Sequence, residues 1–189
     1  THSYSSAASD VYKRQLLGSL LALCSCGNSA KTENRILIGS AASMQFLANE
    51  IASEFSLKTK IPCEVIVSSS GKLYAQINKG APYNIFLSAD ATYPAKIYEG
   101  GLSSKPHCFA TGSLVIWSTT DKVEPKLKSL ESENVKHIAI ASPSTAPYGA
   151  AALSVIQAQP KNSVLIEKLT FGESVSHVNQ FLASRSAEI

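Results

Sequence analysis

Residues 63–90 read CEVIVSSSGKLYAQINKGAPYNIFLSAD, and this stretch decides the fold class. Two apolar runs typical of strands, Cys63–Val67 and Ile85–Leu87, flank a segment with helical spacing, in which Leu73 and Ile77 lie four residues apart on one face. Strand, helix and strand in so short a stretch predict a βαβ unit, in which the two strands run parallel.

The same alternation continues in both directions along the chain. Strands are predicted at 35–38, 112–118, 136–141 and 169–171, and helices at about 43–55, 94–100, 149–159 and from 174 onward. In the first of these helices Ser43 precedes Leu47, Ile51 and Phe55, which are spaced by four residues and predict one apolar, core-facing side. The chain is therefore predicted to be an α/β protein with mostly parallel strands and crossover helices.

Composition excludes several classes of protein. The 189 residues are 44% hydrophobic and 16% charged, with a net charge of +3, which excludes a disordered chain and argues against a nucleic-acid-binding surface. No apolar run reaches the length of a membrane-spanning helix. The scattered cysteines and histidines predict no metal site. For Cys63 and Cys108 we favour two small buried side chains over a disulfide, which stays open in an oxidising compartment.

The N-terminal segment has the pattern of an export signal. A basic pair precedes the apolar run LLGSLLAL at 16–23, and a small, polar stretch with two cysteines follows. This order resembles the lipobox of bacterial lipoproteins, and the small Ser25 makes Cys26 the better lipidation site than the cysteine two residues earlier. The alternatives are a soluble exported protein and an apolar start of the domain. We interpret residues 1–15 as a non-native start and exclude residues 1–30 from the fold.

Four turns that join strands to helices are rich in small and hydroxyl residues: Gly39–Ser43, Ser68–Gly71, Pro143–Gly149 and Gly172–Val175. In parallel α/β sheets such turns line the crevice where ligands bind. Each helix start offers unpaired N–H groups and a partial positive charge, so several of them together predict an anion site that needs no lysine or arginine. Taken singly, each serine is better explained as a helix N-cap, and it is the occurrence of four similar turns in one chain that favours a shared anion pocket.

Enzyme motifs are not supported. There is no G-x-S-x-G sequence, and Gly71-Lys72 matches only the end of a phosphate-binding P-loop, because Ile66 and Leu73 stand where a glycine and a serine or threonine are required. Asp90 follows a strand, where a single carboxylate is usually a structural cap. We therefore expect a binding protein with no cofactor rather than an enzyme.

Four runs resemble the molybdate-binding proteins of bacterial ABC importers: AASM at 41–44, SSSGKLYAQINKGAPYNIFLSAD at 68–90, ASPSTAPYGAAAL at 141–153 and GESVSHVNQFLAS at 172–184. The resemblance covers residues 35–189. It implies a type II periplasmic-binding-protein fold of two hinged α/β lobes, which we place at 31–112 and 113–189. It also implies one molybdate or tungstate ion as ligand, an ABC permease and its ATPase as partners, a monomer, and a periplasmic or other extracytoplasmic location, held at the membrane by lipid.

The resemblance also implies the ligand set. Ser43 and Ser70 are expected to bind the oxyanion through hydroxyl and N–H groups, and Tyr148 and Val175 through backbone N–H groups alone. Molybdenum would be held only as molybdate. Asn84 replaces a common acidic residue and Ser142 a common Asn or Asp, and both are expected to be structural. A further family tyrosine would lie beyond Ile189, so we expect the second lobe to stop before its return to the first, and the 189-residue form to bind weakly.

A shell made only of hydrogen-bond donors suits a fully deprotonated tetrahedral dianion, whereas hydrogen phosphate needs an acceptor for its proton. This favours molybdate, tungstate or sulfate over phosphate. The alternatives that stay open are a receptor for sulfate or another oxyanion, an α/β enzyme with a phosphate site, and a sensory or adhesion lipoprotein of the same fold.

Overall fold

A computed structural model of the protein describes residues 35–189. The predicted export segment and Cys26 lie outside the described residues. In chain order the first half contains β1 (Ile36–Ala41), a 3-10 helix (Ala42–Met44), α1 (Gln45–Thr59), β2 (Cys63–Ser68), α2 (Ser70–Asn78), β3 (Ile85–Leu87) and α3 (Thr92–Glu99). The second half contains a 3-10 helix (Leu127–Glu131), β4 (Ile138–Ala141), α4 (Pro147–Gln157), α5 (Asn162–Glu167), β5 (Leu169–Gly172) and α6 (Val175–Ala183).

The first sheet has the order β2-β1-β3, and both of its strand pairs are parallel. Ile36 pairs with Cys63 on one side of β1, and Ile38 pairs with Ile85 on the other. The predicted βαβ unit is thus confirmed, with β1 lying between its two strands. Because all three strands point the same way, their carboxyl ends and the following turns lie at one edge of the sheet.

The second sheet is the parallel pair β4-β5. The last residues of the chain lie along the free edge of β4, where the Ala139 N–H donates to the Ile189 carbonyl at 2.7 Å. A hydrophobic core packs around this sheet: Val123, Leu130, Val135, Ile138, Ile140, Ile156, Leu165 and Ile189. The sequence prediction of an α/β fold with parallel strands and crossover helices is confirmed.

The strand predicted at 112–118 is wrong for this structure. These residues belong to neither sheet among the described part of the chain, and Val115 is 73% exposed. A strand requires a neighbour for its ladder of hydrogen bonds. Here β4 pairs with β5 on one side and meets Ile189 on the other, so the edge of β4 is not open to residues 112–118. The predicted lobe boundary at 112–113 falls in this irregular segment and stays a prediction.

The core-facing side predicted for the first helix is also wrong. Ala48 and Ala52 are the buried residues of α1, whereas Leu47, Ile51 and Phe55 are 46%, 54% and 39% exposed. Small alanine side chains allow the helix to lie close to the sheet. The spacing of four residues identified the helix correctly. The residues that face the core are Ala48 and Ala52, which directly follow Leu47 and Ile51 in sequence.

Both cysteines of the described region are free thiols. Cys63 is half-buried on β2, and Cys108 is exposed in the irregular segment after α3. The favoured interpretation of two buried side chains is therefore wrong for Cys108, and no Cys63–Cys108 disulfide is formed. No helix within residues 35–189 is long and apolar enough to cross a bilayer.

Candidate functional site

A small cavity lies where the strand ends of both sheets meet. The residues that line it are Ala41, Ala42, Ser43, Ser69, Ser70, Ala89, Ala146, Pro147, Tyr148 and Val175. Ala41 ends β1, and the other residues follow the ends of β1, β2, β3, β4 and β5. All four predicted ligand residues line this one cavity, although they are up to 132 positions apart in sequence (175 − 43). Binding of an oxyanion by these four residues stays a prediction.

Ser70 is the first residue of α2 and is almost fully buried. Its hydroxyl oxygen accepts a hydrogen bond from the Ala89 N–H at 3.0 Å. A serine hydroxyl has one proton and two lone pairs, so accepting this bond leaves its proton free for another partner. The backbone N–H of Ser70 is one of the first four of the helix, which have no acceptor within it. Ser70 therefore offers two donors at one point.

Ser43 lies within the 3-10 helix that follows β1, and it is exposed. Its hydroxyl has no hydrogen-bond partner within residues 35–189. Neither Ser43 nor Ser70 is the N-cap of a helix, so the N-cap explanation is wrong for both. It is correct for Ser174, whose hydroxyl accepts from the His177 N–H at 3.3 Å.

Tyr148 and Val175 reach the cavity from the starts of two helices in the second half. Tyr148 is the second residue of α4, after a proline whose fixed φ suits a first turn, and Val175 is the first residue of α6. Both N–H groups lack an acceptor within their own helix. Gly149 holds α4 against the end of β4, because a Cβ atom there would overlap the Ala141 carbonyl oxygen.

The lining residues contain no Asp, Glu, His, Lys or Arg. The donors at the cavity are therefore hydroxyls and N–H groups at helix starts, whose partial positive charge favours an anion. Across the part of the chain that the structure describes, no group of three or more His, Cys, Asp or Glu side chains is placed to hold a metal ion. The geometry fits capture of a small anion without acidic or basic side chains in the lining.

A charged pair is formed by two residues that lie close in sequence to lining residues of the cavity. Lys72 of α2 and Glu173, which follows β5, form an ion pair at 2.7 Å. The hydrogen bond from Lys72 lowers the pKa of the Glu173 carboxyl. Because the two charges neutralise each other, they add little net charge near the anion position.

Besides this ion pair, two hydrogen bonds join the first half of the chain to the second half. The Gly71 N–H donates to the Thr145 carbonyl at 2.8 Å, and the Ser176 hydroxyl donates to the Gln45 side-chain oxygen at 2.9 Å. A Cβ atom on Gly71 would lie 2.7 Å from the Tyr93 hydroxyl oxygen and 2.8 Å from the Thr145 carbonyl oxygen. The sequence analysis missed these contacts, because only the folded chain brings Gly71 and Thr145 together.

Two other residues have the structural roles that were expected of them. The Asn84 side-chain oxygen accepts from the Leu37 N–H at 2.8 Å and so extends the pairing of β1 with β3. A carboxylate oxygen at this position could accept the same bond. Asp90 accepts from the Ser88 hydroxyl at 3.0 Å, as expected of a local cap.

Residues 36–189 match the family model described as bacterial extracellular solute-binding protein. The chain is 37% identical over 157 residues to the molybdate-binding protein ModA of Rhodobacter capsulatus and 35% identical over 157 residues to that of Azotobacter vinelandii. Each match covers 82% of this chain. The solved periplasmic molybdate-binding protein of Azotobacter vinelandii superposes with a TM-score of 0.74 at 30% identity, covering 82% of this chain and 69% of the other.

The chain therefore belongs to the family of bacterial extracellular solute-binding proteins. It spans 62% of the length of each of the two curated relatives. The family and the fold agree with the resemblance derived from the four sequence runs.

Proposed function

We propose that this protein is an extracytoplasmic receptor that captures molybdate or tungstate for an ABC importer. The observation that carries the proposal is the cavity where Ser43, Ser70, Tyr148 and Val175 meet, with no ionisable Asp, Glu, His, Lys or Arg in its lining. The two curated relatives are named as molybdate-binding proteins, and this supports the same ligand class here.

The chemistry of the lining supports a dianion that carries no proton. Hydroxyl and N–H donors stabilise each ligand oxygen, and a carboxylate that would accept a proton from hydrogen phosphate is not among the lining residues. The same lining lacks a general base, which argues against the alternative of an enzyme that acts on a phosphorylated substrate. The names of the relatives favour molybdate over sulfate, whose smaller radius suits a tighter shell.

Delivery to a membrane permease driven by an ATPase follows from this role, since a receptor outside the cell membrane needs a transporter to pass on its ligand. We place the protein in the cell envelope as a monomer. The apolar run at 16–23 and the small residue before Cys26 support export and a lipid anchor at Cys26.

Thermal melting in the presence of a panel of oxyanions tests the ligand class. A ligand at 100 times its dissociation constant stabilises the folded state by about 2.7 kcal/mol. We expect molybdate and tungstate to raise the melting temperature and phosphate to leave it unchanged. Sodium chloride at equal ionic strength is the control. A larger shift with phosphate than with molybdate would contradict the proposal.

A further inference from the structure

Ser69 is a lining residue that the predicted ligand set does not include. It lies between the end of β2 and the start of α2, within the run of three serines at 68–70. The residue is only 2% exposed. Among residues 35–189, its hydroxyl oxygen is the one buried side-chain N or O atom without a hydrogen-bond partner.

An unpartnered buried hydroxyl is costly, because the group has lost its hydrogen bonds to water and gained none in return. Native proteins rarely keep such a group without a use for it. The neighbouring cavity supplies the missing partner if an anion occupies it, because every oxygen of a tetrahedral oxyanion is an acceptor.

Ser69 lies at a position where a serine hydroxyl normally has a hydrogen-bond partner, which makes the missing partner more unusual. It is the N-cap of α2, with an extended backbone at φ −74° and ψ 150°. A serine in this position normally accepts from the second or third N–H of the helix. Here Ser69 makes no such bond, and the second N–H, that of Gly71, donates to the Thr145 carbonyl at 2.8 Å instead. The contact between the two halves has therefore taken a donor that the Ser69 hydroxyl would otherwise use.

We propose that the Ser69 hydroxyl is a further ligand of the oxyanion, donating to it beside the hydroxyls of Ser43 and Ser70. This inference rests on the proposed function, because it assigns a residue to the same site. A third hydroxyl strengthens the preference for a fully deprotonated tetrahedral dianion, since each hydroxyl that donates to the ligand needs a free lone pair there.

Ser40 provides a matched control. It is also a fully buried serine beside the same turn, at the end region of β1. Its hydroxyl already donates to the Ala41 carbonyl at 3.2 Å, and Ser40 is not a lining residue of the cavity. A structural role for buried serines in general would affect both positions, whereas a ligand role affects Ser69 alone.

The test is calorimetric titration of sodium molybdate into the full chain and into the variants Ser69→Ala and Ser40→Ala, with melting of each ligand-free protein. We expect Ser69→Ala to weaken molybdate binding by about 10- to 100-fold, the loss of one hydrogen bond to a charged group. Its ligand-free melting temperature should equal or exceed that of the parent protein, because the variant removes an unpartnered group. Ser40→Ala should keep the parent affinity.

Ser69→Gly is the second variant, because it removes the same hydroxyl and glycine is well tolerated at a helix N-cap, and it decides the question if Ser69→Ala does not fold. Affinity within about twofold of the parent in the folded variant would overturn the assignment of Ser69 and leave the proposed function standing. Failure of the parent chain to bind either molybdate or tungstate in the same titration would overturn both.

Discussion

At the scale of single residues, Ser70 shows how the fold prepares a donor. Its hydroxyl oxygen is engaged by the Ala89 N–H, so the hydroxyl proton is directed away from that bond. The residue is also rigid, because it begins α2 and is buried. A donor fixed in advance loses little freedom when the ligand arrives, and such preorganisation favours tight binding.

Replacing either predicted hydroxyl ligand should weaken molybdate binding without unfolding the chain. We expect Ser43→Ala and Ser70→Ala each to lose roughly 1.5–3 kcal/mol of binding free energy, the usual contribution of a hydrogen bond to a charged group. Calorimetric titration measures the loss. The control is Ser154→Ala on α4, whose exposed hydroxyl donates to the Ala150 carbonyl of the same helix.

Tyr148→Phe distinguishes backbone from side-chain binding at the same site. Only the N–H of Tyr148 is proposed as a ligand, so the variant should bind molybdate as well as the parent chain in the same titration. Loss of binding in Tyr148→Phe together with normal binding in both serine variants would show that the residues of the site have been assigned incorrectly.

The lipid anchor also depends on one residue. We expect a chain expressed with its export segment in a bacterium to incorporate labelled fatty acid and to fractionate with membranes, because two or three acyl chains on one cysteine anchor it stably. Cys26→Ala should abolish both the label and the membrane association. Label that persists in Cys26→Ala would refute this choice of cysteine, and Cys63→Ala is the control for a thiol inside the fold.

At the scale of elements, the Lys72–Glu173 ion pair ties α2 of the first half to the turn after β5 of the second. Because it joins the two halves of the chain, we expect it to slow release of the ligand. We expect Lys72→Met to raise the dissociation rate of molybdate severalfold, as measured by stopped-flow fluorescence, and more at low than at high salt. Lys58→Met is the matched control, because Lys58 pairs with Glu54 at 2.9 Å within α1 alone.

The pH dependence of this effect follows from the lowered pKa of Glu173. A carboxyl whose pKa is lowered by pairing contributes stability above its ordinary value of 4.5, and that contribution is lost as pH falls through the lower, folded value. The difference between parent and Lys72→Met should therefore be constant from pH 6 to 8 and disappear in strong acid. A difference that vanishes near pH 7 would contradict the role of Glu173.

The elements also show what could be predicted from sequence. The βαβ unit at 63–90 was predicted because alternating apolar runs, a glycine and a proline report local backbone preferences. A strand at 112–118 was predicted wrongly, because an apolar run forms a strand only where the folded chain places a partner strand beside it. The core-facing side of α1 was predicted wrongly because large apolar residues marked the stripe, while the close approach of helix and sheet selects Ala48 and Ala52.

The lining of the cavity was predictable in part from the sequence. Turn residues such as Ser43 and Ser70 were found because each follows a predicted strand and precedes a helix. Ser69 was within the quoted run but was given no role, since a missing hydrogen-bond partner is visible only in three dimensions. The Gly71–Thr145 contact was missed for the same reason.

At the scale of the whole molecule, the site exists only because residues from both sheets meet. The cavity takes Ser43, Ser69 and Ser70 from the first half and Tyr148 and Val175 from the second. Neither half alone supplies the full set of lining residues.

The measurement that tests the central claim most directly is calorimetric titration of molybdate into the full chain at pH 8, repeated in two buffers of different ionisation enthalpy. We predict one bound molybdate per chain and the same binding enthalpy in both buffers, because a donor-only site exchanges no proton with an unprotonated dianion. Phosphate should produce no saturable heat. An enthalpy that depends on the buffer, or phosphate binding as tight as that of molybdate, would contradict the account.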